Sequence, residues 1–188
     1  VWRRILEKRR RQMGLETLRP WDLSVDPQGA PPLKPFAEVG DLITGAEKIF
    51  SRIDPDLGSA FEGMASKGLL DLESRRGKAP GGYQNTLAEA RQPFIFMNAV
   101  GIDADVRTLL HEGGHAFHAL ACADEPLYAY RHAPIEFCEI ASMSMELLGN
   151  QFLNVFYNEA DSRRSVINHL EGIVHILAWV ANIDAFQH

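Results

Sequence analysis

The amino-acid sequence predicts a mainly α-helical fold with one small β element. Apolar residues recur at three- and four-residue spacing through most of the 188 residues, which is typical of helices with one buried face. A single short apolar run, Pro93–Met97, is bounded by helix breakers and indicates a strand. With 46% hydrophobic and 23% charged residues, the composition is that of one soluble globular domain with a buried core.

The N-terminal third predicts three helices separated by an irregular connection. An amphipathic pattern runs from Val1 to about Met13. Residues 23–36 are rich in proline, which removes backbone donors, so no helix can cross them. Helices over Asp41–Ile53 and Pro55–Lys67 follow, with acidic residues near their starts, where the helix dipole favours negative charge.

The remaining two thirds predict a turn, the strand and further helices. Glycines in residues 77–82 indicate the turn, and the strand 93–97 comes after it. Asp105 is the expected N-cap of a helix over residues 106–122. Apart from an interruption at 123–134, helical spacing then continues to the end of the sequence.

Charge and cysteine content restrict the partners and the compartment. Nineteen basic against 25 acidic residues give a net charge of -6, and the run Arg9–Arg11 is interpreted as a solvated helix face, so we expect no nucleic-acid partner. Cys122 and Cys138 are too few for a disulfide scaffold and suit a reducing compartment. The sequence shows no signal peptide and no run of roughly 18 apolar residues, so we expect a cytoplasmic protein without a membrane span.

The segment His111–His115, with the sequence HEGGH, predicts a metal site. On a helix the two histidines lie about 40° and one turn apart, so both imidazoles can bind one ion, while Glu112 can reach a water on that ion as a general base. The alternative is an amphipathic helix that holds these residues by chance. Gly113 and Gly114 weigh against it, because each costs about 1 kcal/mol relative to alanine inside a helix. Adjacent glycines therefore predict close approach of another element or of a substrate.

A catalytic zinc takes three protein ligands and one water, so a third ligand is required. His118 lies on the same helix face but one turn beyond His115, which suits packing or support behind the ligands. Cys122 is about 10 Å along the axis from His115 and too distant. Position 121 is alanine, so a third histidine ten residues after His111 is absent.

The remaining candidates are carboxylates of the helix that begins near Pro134. Glu136 and Glu139 are three residues apart on roughly one face, and Glu146 continues that face two turns later. An ordinary solvated acidic stripe gives the same pattern. The preceding metal motif favours one of these residues as the ligand, but spacing alone does not choose between them.

Four segments resemble the thimet oligopeptidase and oligoendopeptidase F family of zinc metallopeptidases. They are HEGGHAFH at His111–His118, EFCEIASMSMELL at Glu136–Leu148, and the upstream strings LRPWDL and GKAPGGYQ. The resemblance implies that the third ligand is Glu139, 24 residues after His115 (139 − 115), and that Glu136 orients a ligand from outside the coordination sphere. It also implies one Zn²⁺ per chain.

The resemblance further implies a helical zincin-type catalytic core with a small sheet beside the motif helix, acting on short peptides. Gly82, Tyr83 and Asn98 resemble residues along the family's substrate cleft, where an edge strand over residues 94–98 would bind a peptide backbone by strand addition. The alternative for these residues is a plain turn and a buried strand.

The family's downstream histidine and tyrosines, which stabilise the reaction intermediate, have no match among His169, His175 and His188. We therefore expect residues 1–188 to be a partial catalytic domain, truncated at both ends. The function expected is zinc-dependent endopeptidase activity with Glu112 as the base. The alternatives are a helical metal-binding module without turnover and a zinc hydrolase of non-peptide amides.

Overall fold

The computed structural model describes all 188 residues, which form six α-helices and three β-strands. The helices are α1 (Trp2–Gln12), α2 (Val39–Ile53), α3 (Pro55–Ser66), α4 (Asp103–Ala121), α5 (Ile135–Gly149) and α6 (Glu159–Gln187). The strands are β1 (Leu70–Glu73), β2 (Tyr83–Leu87) and β3 (Gln92–Ala99), and 3₁₀ turns lie at Pro20–Ser24, Tyr128–Arg131 and Asn150–Val155. The predicted mainly helical fold with a small β element is confirmed.

The chain divides into two compact units. One contains residues 1–33 and 163–188, and the other contains residues 34–162. The sequence predicted a single partial domain and did not include this division. The predicted irregular connection is present, because no helix or strand lies between Val25 and Glu38.

Charged contacts connect the terminal segments of the first unit. Arg9 donates to the carbonyl oxygen of Leu23 at 2.8 Å and lies 3.7 Å from the carboxylate of Glu171. Arg164 forms an ion pair with Asp26 at 3.2 Å. The basic run that was expected to be a solvated face therefore also anchors the chain that follows α1.

Aromatic and aliphatic side chains form the core of the second unit. Phe50 of α2 is fully buried, with ring centroids 5.0 Å from Phe61 of α3 and 4.8 Å from Phe117 of α4. Leu109 and Leu110 of α4 are also buried. This packing fixes the helix that carries the HEGGH segment.

The sheet has the strand order β1-β3-β2, with β3 parallel to β1 and antiparallel to β2. The predicted strand 93–97 is β3, and alternate residues along it are buried. The expectation that residues 94–98 form an edge strand is wrong, because both sides of β3 are paired. The edges are β1 and β2, short strands that lack the continuous apolar run by which β3 was predicted.

Helix α4 begins at Asp103, and its N-cap is Ile102 rather than the predicted Asp105. Asp105 lies one turn inside the helix and accepts hydrogen bonds from the amides of Val100 (2.8 Å), Gly101 (2.8 Å) and Ile102 (3.0 Å). Its carboxylate satisfies donors that precede the helix, as the acidic member of a capping box does. It thereby fixes α4 to the end of β3.

One helix, α6, is long and apolar enough to cross a membrane by length and composition. This criterion alone is a weak indicator, because core helices of soluble proteins also meet it. The expectation that the chain has no membrane span stays a prediction.

Candidate metal centre

Three potential ligand side chains meet where α4 and α5 face each other. The Nε2 atoms of His111 and His115 are 3.2 Å apart. Of the two carboxylate oxygens of Glu139, Oε2 lies 3.4 Å from Nε2 of His111, and Oε1 lies 3.7 Å from Nε2 of His115. All three ligand atoms lie within 4.8 Å of one another, so one ion can contact them all.

The spacing of these atoms fits zinc. Tetrahedral zinc has bonds of about 2.0–2.2 Å to nitrogen and oxygen, which place its ligand atoms about 3.3–3.5 Å from one another. The three observed separations lie close to that range. Two imidazoles and one carboxylate also form a three-ligand set that leaves a fourth position open, as in catalytic zinc sites.

A carboxylate behind His111 orients its ring. Nδ1 of His111 lies 2.7 Å from Oε1 of Glu146. Burial lowers the pKa of His111, but the hydrogen bond and negative charge of Glu146 outweigh burial, so the pKa is raised. A proton on Nδ1, shared with Glu146, leaves the lone pair of Nε2 directed at the cluster, as supporting carboxylates do in metal sites.

The ring of His115 is also held from behind. Burial is the main cause of its lowered pKa, followed by the neighbouring charge of His111, while a hydrogen bond to the backbone of Cys138 acts in the opposite direction. The lowered pKa favours the neutral imidazole, which is the form that binds metal. The backbone contact ties the ring to the first turn of α5.

Glu136 does not occupy the position that the resemblance implied. It is exposed, and the carboxylate that contacts a ligand from outside the cluster is Glu146 instead. Two physical reasons account for this. Glu146 lies seven residues after Glu139 and within about 20° of it around the helix, whereas Glu136 is about 60° away. Because α5 runs antiparallel to α4, Glu146 also lies beside His111, and Glu136 lies on the opposite side of Glu139.

His118 was predicted to support the ligands, and the structure places it on α4 one turn past His115. Its ring is partly exposed and its charge contributes to the lowered pKa of His115. The contacts to the ligand rings come from Glu146 and the backbone of Cys138 instead.

Glu112 is a buried carboxylate directly beside the cluster. Only 7% of the residue is exposed, and burial raises its pKa, although His111 and a hydrogen bond from the backbone of Gln84 act to lower it. A carboxylate with a raised pKa holds a proton more readily near neutral pH, as a general base requires. The Gln84 contact joins this side chain to strand β2.

The two glycines of the HEGGH segment allow close packing, as the sequence predicted. A Cβ on Gly114 would lie 2.6 Å from Cα of Ser142 and 2.7 Å from the carbonyl oxygen of Ala141, both on α5. A Cβ on Gly113 would lie 2.5 Å from the ring of Phe50. The absence of side chains therefore brings the two ligand-bearing helices together.

A buried lysine fixes the loop that leads into β2. Only 2% of the Lys78 side chain is exposed, and Nζ donates to the carbonyl oxygens of Asp71 (2.9 Å), Glu73 (2.8 Å) and Met97 (2.6 Å). The same atom lies 4.4 Å from the ring centroid of Phe96. Lys78 thus joins β1, β3 and the loop.

The residues expected along a substrate cleft surround this loop. Asn98 donates to the carbonyl oxygens of Ala79 (2.8 Å) and Gly81 (3.0 Å), so its amide group holds the loop in place. Tyr83 is half-exposed, with its ring stacked on Phe96 at 4.9 Å. A Cβ on Gly82 would lie 3.0 Å from Thr108 of α4. A role for these residues in substrate binding stays a prediction.

Sequence reasoning missed three contributors to the site. Glu146 was named as part of an acidic face, and its seven-residue spacing from Glu139 was the signal for its position. The backbone amide of Gln84 carries no sequence signal, because every residue except proline has one. Lys78 lies in the segment GKAPGGYQ, but its burial depends on strand β3, which is distant in sequence.

The scaffold is helical with a small sheet. Two histidines and a glutamate surround one point, and a buried glutamate lies beside them. These features define a candidate zincin-type catalytic core. Residues 1–187 match the sequence profile of peptidase family M3, and the chain belongs to this family.

Relatives and solved structures agree with this assignment. Oligopeptidase PepF of Bacillus subtilis (strain 168) is 33% identical over 138 residues, which are 70% of this chain and 20% of PepF. The structure of PZ peptidase A with inhibitor 2 has 31% identity and a TM-score of 0.90, over 98% of this chain and 33% of that chain. A structure assigned to oligoendopeptidase F of Bacillus anthracis (strain Ames) has 27% identity and a TM-score of 0.92, over 100% of this chain and 34% of that chain. The chain therefore spans a fifth to a third of these proteins.

Proposed function

We propose that the chain is the zinc-binding core of a metalloendopeptidase that hydrolyses peptide bonds in short peptides. Zn²⁺ would be held by His111, His115 and Glu139. The observation that carries the proposal is that one ligand atom from each of the three residues lies within 4.8 Å of the other two, so that one ion can contact all three. Membership of peptidase family M3 and relatives named oligopeptidases support the substrate class.

When bound, zinc supplies a Lewis acid that lowers the pKa of water toward about 7 and polarises the scissile carbonyl. Glu112 takes the proton from the attacking water and passes it to the leaving amine. Its burial and raised pKa suit both steps, because the group must hold the proton between them. Glu146 and the backbone of Cys138 keep the two imidazoles in their binding orientation.

The peptide would lie along β2. This strand is an edge of the sheet, and the hydrogen bond between its residue Gln84 and Glu112 places it beside the proposed base. An extended peptide that pairs with β2 would have its backbone next to Glu112. Gly82 and Tyr83, at the start of the strand, would then contact the substrate.

A metal-binding module without turnover is the second candidate, because the same two histidines and one glutamate could hold a structural ion. The chain spans 33% of PZ peptidase A. A zinc hydrolase of other amides shares the same site, because HExxH specifies the metal and the base but not the leaving group.

The test has two parts. Elemental analysis after dialysis should give one zinc per chain, and a variant with both His111 and His115 changed to alanine should retain none. Quenched peptides of different lengths should then be compared with ester and simple amide substrates at full zinc occupancy. A chain that binds no zinc would refute the proposal. Cleavage of the ester or simple amide substrates without cleavage of peptides would instead indicate a zinc hydrolase of non-peptide substrates.

A further inference from the structure

A cavity lies beyond the metal centre, between the end of α4 and the turn that joins β2 to β3. It is a small cavity of about 30 Å³ that is partly open to solvent. Small and aromatic side chains form part of its wall, and cationic or titratable side chains form the rest. The lining includes Thr86, Ala119, Tyr128, Arg91, Arg131 and His132.

The charge of the cavity wall has one sign. Arg91 and Arg131 are its only permanently charged residues, and no carboxylate lines it. The acidic residues of the adjoining loops, Glu89, Asp124 and Glu125, are outside the lining. Two guanidinium groups in a partly enclosed site favour an anion, and the fork of N–H donors on each matches a carboxylate.

Both guanidinium groups are held in position while some of their donors remain available. Arg91 donates from Nη1 to the carbonyl oxygen of Ala123 at 2.9 Å. Arg131 donates from Nε to the carbonyl oxygen of Glu125 at 2.7 Å and from Nη2 to that of Pro126 at 3.2 Å. A guanidinium has five N–H donors, so neither group is fully used. Side chains already fixed in this way lose little entropy when they bind a ligand.

The backbone of Arg91 supports the same conclusion. Arg91 is the only residue other than glycine with a positive φ, 53°. This conformation is uncommon for a residue with a Cβ and costs free energy, which the surrounding structure must compensate. The hydrogen bond from Arg91 to the carbonyl oxygen of Ala123 is the contact that holds this turn beside the end of α4.

The cavity lies along the direction that the substrate would follow. Thr86 is two residues after Gln84 on β2, a rise of about 7 Å, and Ala119 is seven residues after Glu112 on α4, a rise of about 10 Å. An extended peptide advances about 3.3 Å per residue. A group two or three residues from the scissile bond would therefore reach the arginines.

We propose that the cavity of Arg91, Arg131 and His132 binds a carboxylate of the peptide substrate, two to three residues from the bond that is cleaved. The inference rests on the proposed peptidase function and specifies its substrate class. An acidic side chain and the C-terminal carboxylate of a short peptide have the same chemistry. The site therefore selects short peptides that carry a carboxylate at this distance.

The experiment measures equilibrium binding of fluorescent peptides to the zinc-loaded chain by anisotropy. In the first pair of peptides, one member has Glu and the other has Gln at the second and third positions on either side of the central peptide bond. In the second pair, one member has a free C-terminal carboxylate and the other has an amidated C-terminus. We expect the carboxylate form of one pair to bind about fivefold or more tightly, as a partly exposed ion pair allows. The pair that shows the preference identifies the source of the carboxylate.

Variants locate the effect in the protein. Arg91→Gln and Arg131→Gln should each reduce the preference, whereas Arg76→Gln, an exposed arginine of the same unit, should leave it unchanged. If loss of the Arg131 hydrogen bonds unfolds the chain, the peptide pairs on the unmodified chain still decide. Equal binding of charged and neutral peptides would overturn the cavity proposal while leaving peptide binding intact. Absence of any peptide binding would overturn it together with the proposed function.

Discussion

Three carboxylates surround His111, and their environments differ. Glu139 has a side chain that is 43% exposed, Glu146 is mostly enclosed at 15%, and Glu112 is buried. Each environment suits a different task. An accessible carboxylate can accept an ion from solvent, an enclosed one can orient a ring, and a buried one with a raised pKa can carry a proton.

Glu112→Gln should keep zinc bound and remove peptide hydrolysis. The amide has nearly the shape of the carboxylate, but it cannot accept a proton from water, and Glu112 is not among the three proposed ligands. Zinc content and peptide turnover should be measured on the same preparations. Loss of zinc from this variant would make Glu112 a ligand and would contradict our assignment.

Glu139→Ala should weaken zinc binding more than Glu146→Gln, and Glu136→Ala should have almost no effect. Loss of one of three ligands removes a metal bond, whereas loss of a supporting carboxylate typically costs about 10- to 100-fold in affinity. Competition with a chelator ranks the three variants. Glu136→Ala is the matched control on the same helix, and a large effect there would return the supporting role to Glu136.

The free energy of unfolding should depend on pH in the acid range through the protonation of Asp71. The pKa of the Asp71 carboxyl is lowered to about 2. The largest cause is a hydrogen bond from Arg75, and Lys78 also contributes. The unfolded value is about 3.9, so the stabilisation is complete above that pH and is lost as the pH falls toward 2. Denaturant unfolding between pH 5 and 2 should show this loss in the natural chain. Asp71→Asn should be less stable at pH 5 and show a smaller decline, and an identical decline would contradict the assignment.

At the scale of helices, the contact between α4 and α5 depends on Gly114. Gly114→Ala should destabilise the fold by about 1–3 kcal/mol and weaken zinc binding, because its Cβ would meet the backbone of α5 and displace Glu139. Gly63→Ala in α3 is the control, since nothing lies within 4 Å of the added Cβ. That variant should gain about 0.4–1 kcal/mol. Unfolding free energies and chelator competition test both, and equal effects would contradict the packing argument.

The same contact shows what the sequence could and could not predict. The glycine pair in HEGGH predicted close approach at this point, but nothing in the sequence specified that Ser142 would be the neighbour. The helices were predicted because their apolar residues repeat at helical spacing, and β3 was predicted because it is a continuous apolar run between helix breakers. Strand β2, with the sequence YQNTL, escaped because its stability comes from pairing with β3 and not from its own pattern. The family resemblance predicted Glu139 as the third ligand. The position of Glu146 beside His111 depends on how α4 and α5 face each other, which the sequence does not show.

At the scale of the whole molecule, binding and catalysis should separate. The proposed zinc ligands and the proposed base all lie within residues 111–139, and the chain spans about a third of PZ peptidase A. Removal of one oxyanion donor from a protease costs on the order of 10² to 10³ in rate. We therefore expect this chain to bind one zinc and hydrolyse peptides slowly.

Peptide turnover should be compared, at equal zinc occupancy, between this chain and a longer one extended beyond His188. Faster hydrolysis by the longer chain is the expected result. Equal rates would mean that residues 1–188 stabilise the reaction intermediate unaided, and the separation of binding from catalysis would be wrong.

The burial of Lys78 also determines which amines of the chain can be chemically modified. Its ammonium group is enclosed by carbonyl oxygens of β1 and β3, whereas Lys67 at the end of α3 is exposed. An acylating reagent should therefore label Lys67 at once and Lys78 only when the sheet opens. The labelling ratio of the two lysines, read by mass spectrometry, therefore reports whether β1, β3 and the loop that leads into β2 remain packed together.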